Sequence, residues 1–239
     1  MNKTIDLINI AFVSIETILL VLILFVLNSV SIVCFLTVCV AFCFSLLLFG
    51  EQKRGCYKSI ALLFTVVSDV FLVIVYQKSG QMLHQILGVC FFTVVQALYF
   101  IYLILSTSKK SLKITHVCVR AFLSVIMPIV AYMVCKEKTN FLILITVIYF
   151  TNLVLNCVFA FIEYCKHNIF AIGLLLFIFC DVFVGANAMQ GVLFTASKGS
   201  LAYFMACPPF NFTWLFYVLS QTLIVLSFSY KLIPNKKEN

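Results

Sequence analysis

The chain has 239 residues, of which 64% are apolar and only 10% charged, and its mean hydropathy is +1.17. Soluble domains carry about 25% charged residues. This composition therefore excludes a soluble globular enzyme and predicts an all-α, polytopic membrane protein with one transmembrane domain over 1–239. The net charge of +8 has a topological origin, set out below, and calls for no nucleic acid partner.

Eight spans are expected. The first apolar block, 8–49, is too long for one helix and divides at Asn28-Ser29 into spans 8–27 and 30–49. The N-terminus has no small-x-small cleavage site, and its apolar run is too long for a cleaved signal peptide. A polar loop from Glu51 to Lys58 precedes span three, 59–76, and the loop Gln77–Gln85 precedes span four, 86–106. The basic loop Thr107–Lys113 leads to span five, 114–134, which contains Arg120 and Pro128. Span six is 140–163, the turn Tyr164–Asn168 follows, and span seven is 169–189. Residues 190–210 carry Gly191, Gly199, Pro208 and Pro209, which suits an interfacial or re-entrant connection. Span eight is 211–230, and a basic tail ends the chain.

With the N-terminus inside, the cytoplasmic segments hold eleven basic residues: Lys3, Lys53, Arg54, Lys58, Lys109, Lys110, Lys113, Lys166, Lys231, Lys236 and Lys237. The outer loops hold four: Lys78, Lys136, Lys138 and Lys198. This asymmetry predicts that both termini are cytoplasmic. The eleven cysteines are scattered, mostly through apolar runs and with no CxxC, and read as small buried apolar residues. His84, His116 and His167 fall at expected helix ends or loops without an HxxH or HExxH pair, so no metal site is expected.

The chemistry concentrates in a few intramembrane polar residues. Asp69 and Asp181 each sit inside a span, where an aspartate costs roughly 2.5–3.5 kcal/mol on insertion scales. Counted from the cytoplasmic ends of spans three and seven, both lie roughly 15–18 Å deep, near the midplane. Gln96 and Gln221, on helices running the other way, reach a similar depth, and Glu16 lies somewhat shallower. Five polar groups from five helices can therefore meet in one layer. Gln96 shares a face with Phe92 and Tyr99; Trp214, Tyr217 and Gln221 form another stripe. Gly185, one turn past Asp181, leaves space beside it, whereas Asn187 points elsewhere unless the helix unwinds. Plainer roles stand beside these. The aspartates can be hydrogen-bonded packing residues, the glutamines can link helices, and the tyrosines can be core aromatics. Glu16 can pair with Arg120, or Arg120 can snorkel to the inner surface. Asp-Val-Phe recurs in spans three and seven, each followed by a glutamine-bearing helix, an echo of two four-helix halves.

Several runs carry a family resemblance. They are Ser68-Asp69-Val70-Phe71-Leu72, Gly88 to Phe92 with Gln96-Ala97-Leu98-Tyr99, Cys180-Asp181 with Asn187, and Tyr217 to Ser227 around Gln221. Their order and spacing resemble the YhhN-like lysoplasmalogenases, integral membrane proteins with an eight-helix fold. Gln96 and Gln221 stand where some members carry histidine, and Cys180 where serine is usual. The resemblance covers spans three, four, seven and eight. It implies hydrolysis of the vinyl-ether bond of lysoplasmalogens to a fatty aldehyde and a glycerophospho-headgroup, with no metal or cofactor. The expected partners are a lysophospholipid substrate and membrane lipids, and the expected location is the plasma membrane.

The residues suit that chemistry on their own account. An enol ether is hydrolysed by protonation at carbon, which needs one neutral acid and one carboxylate to stabilise the cation or activate water. Asp69 and Asp181 are the expected catalytic pair, with either able to take either role. Gln96, Tyr99, Tyr217, Gln221, Glu16 and Asn187 are the expected substrate-binding residues. The alternative is a transporter in which the same aspartates bind protons or cations. An intramembrane aspartyl protease lacks its Tyr-Asp and Gly-x-Gly-Asp motifs here, and a retinal protein lacks a mid-helix lysine.

Overall fold

The computed structural model describes residues 3–26, 31–52, 54–190, 194–208 and 210–229. Regular structure among them is helical throughout. Helix α1 is Lys3–Val21 and runs on as a π-helical turn, Leu22–Val26. Helix α2 is Ser31–Leu48. Helix α3 is Gly55–Asp69, prolonged by a π-helical stretch, Val70–Val75, and a last α turn, Tyr76–Ser79. Then follow α4 (Met82–Ser106), α5 (Lys110–Cys135), α6 (Phe141–Ile162) and α7 (Tyr164–Met189). A short α8, Leu201–Ala206, precedes α9, Phe212–Leu226.

Seven of these helices are long and apolar enough to cross a membrane, so the chain is an all-α, multi-pass integral membrane protein. Their outward faces carry exposed Leu7, Ile10, Phe25, Phe122, Val125, Met133 and Val134, an apolar belt suited to lipid rather than water. The eighth expected span appears as α9, an apolar helix of 15 residues. At 1.5 Å per residue that is about 22 Å, short of the ~30 Å hydrocarbon core. The expected break at Asn28-Ser29, Gly191, Pro209 and the basic tail from 230 lie outside the described residues.

Several boundaries differ from expectation. Helix α3 starts at Gly55, so Lys58 belongs to a helix rather than to the loop assigned to it. The expected turn at Tyr164–Asn168 is instead a bend within α7, where His167 leaves helical geometry at φ −127° and ψ 23°. Helix α3 closes at Gly80, whose φ of 64° is the left-handed conformation that glycine adopts without strain, with its N–H bonded to the Tyr76 carbonyl at 2.8 Å.

The packing has two tight pairs at its centre: α3 lies on α4, and α7 on α9. Glycine permits both approaches. A Cβ at Gly88 would meet Leu72 Cγ at 2.4 Å, and one at Gly173 would meet Ile224 and Ser220 at 3.0–3.2 Å. Ser68 fastens the first pair by donating to the Gly88 carbonyl at 2.6 Å. Helix α2 packs on α3 and α6 on α7; α6 also packs on α4 and α2 on α9; α1 and α5 lie outside α2 and α6. The neighbour relations of α1 to α4 thus recur in α5, α6, α7 and α9, the arrangement the Asp-Val-Phe echo implied. Between the two tight pairs the backbones stand apart, and large side chains bridge the axis, as in Phe92–Phe177 at 5.6 Å and Tyr99–Phe170 at 5.2 Å.

Crowding at Gly88 sets a stability test. Gly88→Ala is expected to cost about 1–3 kcal/mol, whereas Gly185→Ala, where a Cβ meets nothing within 4 Å, is expected to cost none. Melting midpoints of the two purified variants in one detergent compare them.

Candidate functional site

Four helical stripes face the axis. On α3 they are Lys58, Leu62, Thr65 and Asp69; on α4, Phe92, Gln96, Tyr99 and Tyr102. On α7 they are His167, Phe170, Leu174, Phe177 and Asp181, and on α9, Tyr217, Gln221 and Ile224, followed by Phe228. Steps of three and four residues keep each set on one face, and all but Asp181 are buried.

The two aspartates occupy one level. Asp69 is buried and accepts a hydrogen bond from the Tyr217 hydroxyl, across the axis on α9. Asp181 is half-buried and accepts a hydrogen bond from the Tyr149 hydroxyl on α6. The two tyrosines that hold the carboxyl groups belong to one ring layer. Rings close the layer: Phe92 contacts Tyr149 and Phe177 at 5.6 Å each, and Phe177 contacts Tyr217 at 5.8 Å. Tyr149 was not singled out in the sequence. Its signal is a stripe on α6, where Tyr149, Asn152 and Asn156 follow i, i+3, i+7.

One turn from this level, about 5–6 Å along each helix, lies a layer of amides. Gln96 and Gln221 are fully buried. Neither polar atom of the Gln221 amide has a hydrogen-bond partner among the described residues, and the same holds for Gln96 Nε2 and the Tyr99 hydroxyl. Buried polar atoms are nearly always paired in folded proteins. Four open ones beside an acid pair therefore mark a place fitted for a polar guest.

Two further expected binding residues are Glu16 and Asn187. Glu16 is buried on α1, and neither carboxyl oxygen has a hydrogen-bond partner among the described residues, so the expected pairing with Arg120 is not formed. Asn187 is exposed, and its amide donates to the Ala206 carbonyl at 2.7 Å, fastening α8 to α7. Arg120 does not snorkel. It is turned between helices and donates to the carboxamide oxygens of Asn152 and Asn156 and to His116 Nε2, with its guanidinium 4.2 Å from the centre of the Phe100 ring.

Below the amides the axis ends in a second polar cluster. Lys58 is fully buried and donates to the Ser227 hydroxyl at 2.8 Å and carbonyl at 3.2 Å, with the rings of Phe228, Tyr102 and Phe170 at 4.1, 5.0 and 5.7 Å. Cation–π contact offsets part of the cost of burying that charge. Tyr102 accepts from Gln52 at 2.9 Å and lies 3.2 Å from His167 Nδ1. Among the described residues no group of three His, Cys, Asp or Glu side chains is placed to hold a metal ion.

No family model matches the chain, and neither does any curated protein or solved structure.

The two kinds of tyrosine separate experimentally. Tyr217→Phe strips Asp69 of its donor and is expected to cost about 1–3 kcal/mol. Tyr99→Phe removes a hydroxyl with no partner and is expected to be neutral. Thermal melting checks the pair, and equal losses would refute the distinction.

Proposed function

We propose that this protein is a membrane hydrolase of the YhhN-like lysoplasmalogenase type, cleaving the vinyl-ether bond of lysoplasmalogens. The observation that carries the reading is the pair Asp69 and Asp181: two intramembrane acids, each held by one tyrosine, the two tyrosines joined through the rings of Phe177 and Phe92, beside a layer of unpartnered amides. In the reaction one aspartic acid gives its proton to the enol-ether carbon farther from the oxygen, and the remaining O–CH unit becomes an oxocarbenium ion. The other, as carboxylate, stabilises that cation and takes a proton from the attacking water. The resulting hemiacetal collapses to a fatty aldehyde and the free glycerol hydroxyl, so one water is consumed and no redox partner is needed. Gln96, Gln221 and Tyr99 supply hydrogen bonds to that water and to the glycerol oxygens. The fold goes with eight crossings, α9 being the last, with both termini cytoplasmic by the basic-residue asymmetry and with residence in the plasma membrane.

A transporter is the second reading. It draws on the repeated neighbour relations around an axis that holds a pair of intramembrane acids.

Incubation of the purified protein with lysoplasmenylethanolamine is expected to release free aldehyde. Asp69→Asn and Asp181→Asn are each expected to lower the rate by about 10²–10⁴-fold. A silent wild type, or variants at full rate, removes the hydrolase reading. Ion-driven flux in proteoliposomes with no aldehyde selects the transporter.

A further inference from the structure

From sequence Arg120 reads as a partner of Glu16 or a snorkelling residue, and Asn152 and Asn156 carry no role. The structure joins all three to the site. Helix α5 packs chiefly on α6 and is mostly exposed, yet from it Arg120 reaches inward to Asn152, Asn156 and His116. No carboxylate takes part among the described residues. Asn156 in turn donates through Nδ2 to two atoms of Gln96, its backbone carbonyl and its side-chain Oε1, both at 2.9 Å.

The direction of every amide in this chain follows from one fact. A guanidinium has only donors. The atom of Asn156 that meets Arg120 must therefore be its oxygen, which places its nitrogen toward Gln96. That nitrogen can only donate, so the Gln96 atom that receives it must be Oε1. Gln96 is left with Nε2 turned away from Asn156, fully buried and with no partner. Gln96 shares its stripe with Phe92 and Tyr99, both of which reach across the axis to α7. An isolated glutamine can present either end of its amide to a ligand; here the arginine removes that freedom. By the same reasoning His116 accepts at Nε2, so its proton sits on Nδ1. Stacking of His116 on Phe159, with ring centres 3.6 Å apart, holds the imidazole in place.

We infer that Arg120 and Asn156 are positioning residues that lock Gln96 as a hydrogen-bond donor toward the axis, one turn from the acid pair, so that the site selects an acceptor oxygen of an uncharged group such as an ether, a hydroxyl or water. For its catalytic consequence this rests on the hydrolase reading; for its binding consequence it does not.

The test uses Asn156→Asp. Aspartate keeps the contact with Arg120, and strengthens it as an ion pair, while losing both N–H donors to Gln96. Docking of α5 is thereby kept and orientation of Gln96 lost, which a purely structural role cannot distinguish. Two ligands are used in nanodiscs: lysoplasmenylethanolamine, read by aldehyde release, and its saturated alkyl-ether analogue, which cannot be protonated at carbon, read by binding. Asn156→Asp is expected to melt no lower than wild type. Its binding of the saturated ether is expected to be weaker by about tenfold, the size of one hydrogen bond, and its aldehyde release to fall by a similar factor. Gln96→Leu is expected to do the same, and the double variant to be no worse than either single one.

Wild-type binding in Asn156→Asp, or losses that multiply in the double variant, would overturn the inference. If wild type binds the saturated ether but releases no aldehyde, the hydrolase reading fails alone, and the binding series still decides the relay. A wild type that binds neither ligand overturns both.

Discussion

A helix bundle in lipid must satisfy its polar groups from within, because no bulk water reaches them. The principal intramembrane polar residues of this chain fall into two classes under that constraint. Asp69, Asp181, Arg120 and Lys58 are each held by named partners: a tyrosine of another helix, a tyrosine of another helix, two asparagines of α6 with a histidine one turn away on α5 itself, and the serine just past α9 within an aromatic cage. Gln221, one end of Gln96 and the Tyr99 hydroxyl are not so held. Charged groups are costlier to leave open than amides or phenols, and these four follow that rule; Glu16, buried on α1 with neither carboxyl oxygen partnered among the described residues, departs from it. On the axis the open groups named above are amides and a phenol.

The axis exists because close packing is spent elsewhere. Gly88 lets α3 lie on α4 at a distance where an added Cβ would displace Leu72, and Gly173 lets α7 lie on α9 where an added Cβ would crowd Ile224 and Ser220. Each tight pair then meets the other only through long side chains. The two halves are alike in neighbour relations but not in detail. Counting one turn back from the glutamines, Tyr217 on α9 stands where α4 has Phe92. Asp69 therefore draws its donor from across the axis, and Asp181 draws its own from α6. Asp69 is buried, whereas Asp181 keeps accessible surface. In the proposed reaction the two acids do different work, which calls for different surroundings, and departure from the repeat supplies them.

Hydropathy made the spans legible, and depth counting placed Asp69, Asp181, Gln96 and Gln221 near one level before any fold was known. Other features left weak traces or none. The π-helical stretch Val70–Val75 contains no glycine or proline, so nothing local announces it. Lys58 reads as a loop anchor because a charge near a helix end usually snorkels; its burial depends on Phe228 and Tyr102, distant in the chain. Asn152 and Asn156 vanish into a hydropathy average, although their spacing from Tyr149 is a stripe that a residue-level reading of α6 can find. Glu16 is not paired with Arg120, because α1 packs on α2 and α9 whereas the helix that carries Arg120 packs on α6.

The placement of the two buried cations bears on substrate recognition. Lys58 precedes Asp69 by eleven residues on one helix, about three turns and roughly 16 Å. In a lysoplasmalogen only a glycerol unit separates the vinyl ether from the phosphate. An ammonium three turns away cannot hold that phosphate while the acid pair engages the double bond. Arg120 is already committed to two asparagines and a histidine and reaches the axis only through them. In the proposed reaction the layer next to the acids therefore meets the glycerol oxygens with neutral donors. Such a layer recognises oxygen and discriminates poorly between headgroups, because the charge that distinguishes one headgroup from another lies beyond its reach.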